Sequence, residues 1–243
     1  MTTGMFYGVG VGPGPKGLLP VAAVEALRSA DVILAPKAKH VQMSIARQCL
    51  AGLDLDESRI RDLVHNMEAD RSATLAHYKT IAAEIGQELA QGRNVAYLTI
   101  GDSLTYSTYS CTLGALLEFF PDLQHKTFPG ITSYAAIAAA LGWPLGQGKE
   151  RVLILPCPDD PTDLRYQLKT HDIVVLIKIG ARLPIVLSTL KELRLEGEFG
   201  FGSRIGLSGE LVSNDIADLE TLDSNGYLMT MLIRNPRAEV VRA

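Results

Sequence analysis

The segment "LTIGDSLTYSTYS", Leu98 to Ser110, concentrates the groups that could do chemistry: an apolar run ends at Gly101 and Asp102 and passes into a hydroxyl-rich turn. Asp102 could accept hydrogen bonds or take a proton, and Ser103, Thr105, Ser107 and Thr108 supply hydroxyls beside free backbone N–H groups. A carboxylate there could equally cap the following helix. "FPGITS", Phe128 to Ser133, has the same character, and "YGVGVGPGPKG", Tyr7 to Gly17, adds glycines at 8, 10, 12, 14 and 17. Gly12, Gly14 and Gly17 fit G-x-G-x-x-G, a phosphate-cradling pattern, but Pro13 and Pro15 carry no N–H and remove two donors from the loop.

These junctions need strands and helices to position them. Met5 to Val11 reads as a strand, Leu19, Val21, Val24 and Leu27 as a helical stripe, and "DVILA" at 31 to 35 as a second strand. A helix runs from a cap at Asp70 through Gln91, with Leu75, Tyr78, Ile81, Ala82, Ile85 and Leu89 on one face and Gly92 at its end. "NVAYLTI" at 94 to 100 is apolar nearly throughout, as a parallel strand buried on both faces must be. A helix from Ser107 to Phe119, the strand "HKTF" and a small-residue helix from Tyr134 to Leu141 complete the first part. "GWPLGQGKE" at 142 to 150 predicts a boundary, dividing the chain into 1–145 and 146–243. Beyond it come "RVLIL", "DIVVLIKIG", a helix from Pro184 to Leu193, and strands at Phe201 to Leu207 and Tyr227 to Ile233, so each part is α/β.

Composition limits the classes. With 243 residues, 47% of them hydrophobic and 21% charged, the chain is globular. A net charge of −4 disfavours nucleic acid as its main partner. The longest weakly polar stretch, Tyr134 to Leu145, falls short of the ~20 residues that cross a bilayer. Met1 to Tyr7 lacks a basic n-region, which predicts a cytoplasmic protein. Cys49, Cys111 and Cys157 are odd in number and widely spaced, so reduced, buried thiols are expected rather than a disulfide framework or a metal site. His65 and Glu68 in "HNME" lack further spaced ligands, and "PDDPTD" at 158 to 163 reads as a surface turn with a helix cap.

"GVGVGPG", "LTIGDSLTYST", "PGITSYAAIAAALGWPL" and "VVLIKIG" stand in the order and spacing of the tetrapyrrole (corrin/porphyrin) methylases, and the chain resembles that family over nearly its whole length. "YSTYS", "PGITSYAAIAAALGWPLGQGKERVLILP" and "IKIG" look most like the members that methylate C20 of precorrin-2 or cobalt-factor II in cobalamin synthesis. One departure is Ser103, where the family has Gly-Asp-Pro; it leaves Asp102 in place and is expected to loosen the turn behind it.

The resemblance implies two α/β domains of the class III methyltransferase type with S-adenosylmethionine in the cleft between them, and a homodimer. Phosphate is then not the loop's ligand, and the missing N–H groups cost nothing. Pro13, Ile100, Gly101, Asp102, Thr105, Thr132, Ser133, Ile179, Leu207 and Thr230 match the family's cofactor-contacting positions. Asp102 would orient the cofactor or remove the C20 proton after transfer, orientation being the favoured role. A polycarboxylate substrate needs local cations, and Lys37, Lys39 and Arg47, in and beside "APKAKH" (Ala35 to His40), are the candidates, a solvated basic loop being the alternative. Rival readings are another methylase of this fold acting on uroporphyrinogen, a later precorrin, diphthine or ribosomal RNA; a non-catalytic cofactor sensor; and a nicotinamide-dependent oxidoreductase. The last is countered by the loop prolines and by the early position of Asp31.

Overall fold

The structure, a computed structural model, describes residues 3–14, 17–39, 41–65, 71–222 and 226–238. Pro15, His40, Glu68 and the expected cap Asp70 lie outside the described residues. The chain forms two compact units, 1–132 and 133–243.

The first unit runs β1 (Phe6–Gly10), α1 (Val21–Ser29), β2 (Val32–Ala38), α2 (Ile45–Gln48), β3 (Ile60–His65), α3 (Arg71–Ala90), β4 (Val95–Thr99), α4 (Thr108–Phe119) and β5 (His125–Phe128). Its sheet has the order β3-β2-β4-β1-β5 and every pairing is parallel. All five strands therefore release their C-terminal ends on one edge. β4 is buried at every position, as its unbroken apolar run requires. Its side chains alternate between two cores: Ala96 and Leu98 pack with Ala23 and Leu27 of α1, whereas Val95 and Tyr97 pack with Ile81 and Ile85 of α3 and with Leu116 of α4. Helices α1 and α4 thus lie on opposite faces while following neighbouring strands. That is the switch point where open α/β sheets leave a crevice at the carboxyl ends.

At this crevice the chain makes contacts that only glycine permits. Gly12 and Gly101 form a two-residue bridge, Gly101 N–H donating to Gly12 O at 2.7 Å and Gly12 N–H to Gly101 O at 3.2 Å. A Cβ on Gly130 would stand 1.9 Å from Gly101 O, and one on Gly10 would stand 2.5 Å from Gly130 N. The ends of β1, β4 and β5 therefore touch backbone to backbone.

The second unit runs α5 (Ser133–Leu141), β6 (Val152–Pro156), α6 (Pro161–Thr170), β7 (Ile173–Ile177), α7 (Leu183–Leu193), β8 (Phe199–Ser203), β9 (Leu211–Ser213), α8 (Ile216–Glu220) and β10 (Met229–Arg234). Its sheet is mixed, in the order β6-β7-β10-β8-β9, with β10 antiparallel to both neighbours. Leu164, Leu168, Val186 and Leu190 of α6 and α7 pack on one face, and Ile137 and Ala138 of α5 meet Val175 and Leu232 on the other. That burial assigns α5 to the second unit, so the division falls before α5 rather than after it, at the Gly/Pro stretch expected from composition.

Other differences have local causes. In α1 the buried face is Ala23, Ala26 and Leu27; Val21, the first helical residue, is 76% exposed. Leu75 of α3 is exposed while Ile81, Ala82, Ile85 and Leu89 are buried. Cys49 and Cys157 are buried, and burial pushes both thiols up to about 11, but Cys111 is exposed on α4. Asp160 caps α6, accepting from Thr162 N at 2.8 Å. None of the described helices is long and apolar enough to cross a membrane.

His65 closes β3 in the α3–α4 core, 4% exposed, its Nε2 2.8 Å from the Tyr97 hydroxyl, which donates to Thr108 Oγ1 at 2.9 Å. Burial first and the charge of His77 second push its pKa down to about 4.

Two stability measurements follow. Gly130→Ala should lower stability by about 2 kcal/mol or more, because rigid backbone faces the new methyl. Gly114→Ala, in α4 with open space at its Cβ position, should be neutral or stabilise by up to about 1 kcal/mol; equal urea midpoints for the two variants would remove the close-approach argument. For His65, the unfolded ring protonates near 6.5 and the folded ring only near 4, so the unfolded state binds the extra proton between those values and stability falls as the pH drops through that window. The loss is of order 3 kcal/mol at most. His65→Gln should flatten the fall in urea midpoint between pH 7 and pH 4.5, and an unchanged slope would place the acid sensitivity elsewhere.

Candidate functional site

Asp102 stands two residues beyond the buried end of β4, with both carboxylate oxygens engaged. Oδ1 accepts from Leu104 N at 3.0 Å and from Thr105 Oγ1 at 2.9 Å; Oδ2 accepts from Gly130 N at 3.0 Å. Burial alone would raise its pKa, but the hydrogen bonds from Gly130, Leu104 and Thr105 outweigh that, and the net shift is downward. An anion stabilised in this way is a poor proton acceptor and a good brace. It fixes the turn after β4 to the turn after β5.

Ser103 reinforces the brace. It is fully buried, and its hydroxyl donates to Phe128 O at 2.9 Å while its own carbonyl accepts from the Ser107 hydroxyl. The expectation that serine would loosen this turn is therefore corrected: the hydroxyl replaces a ring constraint with a tie to β5. A hydroxyl in a run leaving a buried strand was the sequence signal. Ser107 also caps α4 by accepting from Ser110 N at 3.2 Å.

At the start of the glycine loop, positions 11 to 13 have no N–H left to offer an anion. Val11 N–H is given to Thr99 O at 2.8 Å, Gly12 N–H to Gly101 O, and Pro13, which is buried, has none. A dinucleotide pyrophosphate would find these donors spent.

The positions matched by the resemblance fall into two sets. In the first unit, Pro13, Ile100, Gly101, Asp102 and Thr105 lie on the crevice edge, and Thr132 lies two residues beyond Gly130. In the second unit, Ser133 Oγ lies 2.8 Å from Thr230 Oγ1, and Thr230 is opposite Gly202 in the β10–β8 ladder. Ile179, fully buried, follows β7, and Gly180 N–H donates to Gly226 O at 3.0 Å. Leu207 sits in the turn after β8, its N–H given to Arg204 O at 2.9 Å.

The first set fits the chemistry of S-adenosylmethionine. Nothing lies within 4 Å of the position a Cβ would take on Gly101, so the backbone is open there, and Ile100 beside it is 36% exposed. Thr99 Oγ1, at the end of β4, is buried with no hydrogen-bond partner. Carbonyls, hydroxyls and an apolar side chain suit a ligand whose polar groups are amine, carboxylate, ribose hydroxyls and adenine, with no phosphate.

The cation cluster is already compensated in part. Lys37 Nζ is 2.9 Å from Asp62 Oδ2 and donates to Gln42 O at 2.9 Å, and Arg47 is 2.5 Å from Glu57. Lys39 is exposed beyond β2. A carboxylate binding at Lys37 or Arg47 would have to compete with a resident acid. His65 is held by Tyr97 rather than by a metal set, and no group of three or more His, Cys, Asp or Glu able to hold a metal ion occurs among the described residues.

Comparison with known proteins bears on the family and the fold. The family model described as "Tetrapyrrole (Corrin/Porphyrin) Methylases" matches residues 5–220. The chain is 28% identical to a cobalt-precorrin-2 C(20)-methyltransferase of Salmonella typhimurium over 78% of each chain. It is 33% identical to a precorrin-2 C(20)-methyltransferase of a Sinorhizobium species over 77% of this chain and 78% of the relative. Among solved structures, a cobalt precorrin-4 methyltransferase superposes with a TM-score of 0.67 at 16% identity, covering 95% of this chain and 94% of the other, which is a likeness of fold. The chain belongs to the tetrapyrrole (corrin/porphyrin) methylases.

Proposed function

We propose that this protein methylates C20 of precorrin-2 or of its cobalt complex, with S-adenosylmethionine as methyl donor, in cobalamin biosynthesis. The observation that carries the reading is the match, along most of both chains, to relatives named for C20 methylation, in a chain whose crevice edge suits a ligand without phosphate. S-adenosylmethionine supplies, when bound, a methyl group on a positively charged sulfur that an electron-rich carbon can attack in line.

The chain's own part in the reaction is binding and alignment. C20 is a meso carbon of a reduced macrocycle and is already nucleophilic, so little acid–base assistance is required. Gly101 leaves its backbone open to the donor, and Asp102 with Ser103 holds that turn against Gly130 and Phe128. Both Asp102 oxygens already accept hydrogen bonds and its pKa is lowered, so we assign the C20 proton to water and a positioning role to Asp102. We further propose that Ser133, Ile179, Leu207 and Thr230 bind the cofactor.

The direct test is anaerobic incubation of the purified protein with S-adenosylmethionine and either precorrin-2 or cobalt-factor II, reading product mass and the methylated position. One added methyl at C20 in either arm is expected, and the better arm identifies the metal state. Methylation at another carbon, or none, would reject the reading.

Asp102→Asn tests the brace. The amide offers one acceptor where the carboxylate offers two, so either Gly130 N–H or the Leu104–Thr105 pair meets a second donor. S-adenosylhomocysteine affinity should fall about tenfold or more, and the rate should drop at every pH. Normal affinity with a rate defect that vanishes at low pH would instead make Asp102 the base.

A further inference from the structure

Resting on the proposed C20 reading, we infer that Lys178 and Arg204 form a carboxylate-binding pair for the substrate, displayed at one edge of the second sheet. Five described residues other than glycine have positive φ: Tyr106, Lys178, Arg194, Arg204 and Leu228. Three of them meet at a single place. Lys178 (φ 54°) is the residue after β7, Arg204 (φ 51°) the residue after β8, and Leu228 (φ 53°) the residue before β10. Because β10 lies between β7 and β8 and runs antiparallel to both, these three positions cap adjacent strands on one edge.

The register makes the placement specific. Met229 is opposite Ser203, so Leu228 and Arg204 come next, and Arg204 N–H donates to Leu228 O at 3.1 Å. Met231 is opposite Leu176, and continuing that ladder by two steps brings Lys178 level with Met229. Two strand spacings then separate the backbones of Lys178 and Arg204 by about 10 Å. A left-handed backbone costs a side-chain-bearing residue roughly 1 kcal/mol or more, and such positions gather at ligand clamps when the surroundings hold them in place. Here the hold is visible: Gly180 N–H on Gly226 O, Met229 N–H on Gly226 O at 3.2 Å, and Arg204 Nε on Ser208 O at 2.8 Å.

The charges separate these cations from many others in the chain. Lys37, Arg47, Arg61, Lys79, Arg93, Arg165, Arg182, Lys191 and Arg234 each have a carboxylate partner. Neither Lys178, which is exposed, nor Arg204 has an acidic partner among the described residues. The same edge carries Ile179 next to Lys178 and Thr230 two positions after Leu228. A backbone separation of about 10 Å between Lys178 and Arg204 leaves room for two different carboxylates of one polycarboxylate macrocycle, each meeting a cation that gives up no resident acid on binding. Lys37 and Arg47 would have to surrender theirs.

The test uses the tetrapyrrole that the unaltered protein is first found to methylate at C20, so failure of the reaction assignment shows before any variant is made. Lys178→Gln alters an exposed side chain and leaves the fold intact. Alone or with Arg204→Gln, it should raise the KM for the tetrapyrrole about tenfold, weaken anaerobic absorbance titration of the tetrapyrrole to a similar degree, and reduce the dependence of KM on salt. The dissociation constant for S-adenosylhomocysteine should stay within about twofold, and Lys178→Arg should restore KM. An unchanged KM and titration in Lys178→Gln, or an equal loss of S-adenosylhomocysteine and tetrapyrrole affinity, would overturn the pair.

Discussion

The first unit is organised around one close contact: the carbonyl of Gly101 pressed against the chain at Gly10 and Gly130, where no side chain fits. Everything at the carboxyl edge is positioned by it. β1, β4 and β5 are neighbours in a parallel sheet, but parallel pairing alone would let their outgoing loops diverge toward α1 on one face and α4 on the other. Bringing three backbones into contact holds those loops together at the point where they separate. The Asp102 carboxylate then closes the arrangement by tying its own turn, at Leu104, to Gly130 in the turn after β5.

This constraint decides what kind of chemistry the edge can support. A carboxylate needed as a base must keep a lone pair available and a pKa near the working pH. Asp102 is set otherwise: three donors hold its two oxygens in place and lower its pKa. Its charge is used for geometry. Ser103 follows the same logic, since a buried hydroxyl tied to Phe128 O extends the brace by one more residue. An edge built this way is rigid, which suits transfer between two groups that are already reactive and only need aligning.

Much of this was legible in the sequence, for identifiable reasons. The parallel character of β4 followed from its unbroken apolar run, and the edge was marked by glycines and hydroxyls where that run stops. The two-unit α/β organisation was legible too. Some features were not. The division before α5 depends on Ile137 and Ala138 meeting Val175 and Leu232, a long-range packing choice that a Gly/Pro stretch at 142–150 does not encode. The short β9, α2 and α8 carry too few residues for periodicity to register, and β3, with the sequence IRDLVH, shows no two-residue alternation. The compensation of Lys37 and Arg47 by Asp62 and Glu57 requires partners 25 and 10 positions away (62 − 37; 57 − 47), which spacing along one helix or strand does not reveal. The gathering of Lys178, Arg204 and Leu228 depends on the strand order β7-β10-β8, which no local pattern contains.

The donors that the crevice spends on itself have a further consequence for the company this protein keeps. Nucleotides such as ATP and the nicotinamide dinucleotides share adenine and ribose with S-adenosylmethionine, and a pocket that reads only those parts would be crowded by them. Val11 and Gly12 give their N–H groups to Thr99 and Gly101, Gly130 gives its own to Asp102, and Pro13 has none to give. A phosphate brought to this edge would lose its water and meet spent donors and a carboxylate in return. On the proposed cofactor reading, these four positions tell against phosphorylated adenosine compounds through the same backbone bonds that hold the edge together.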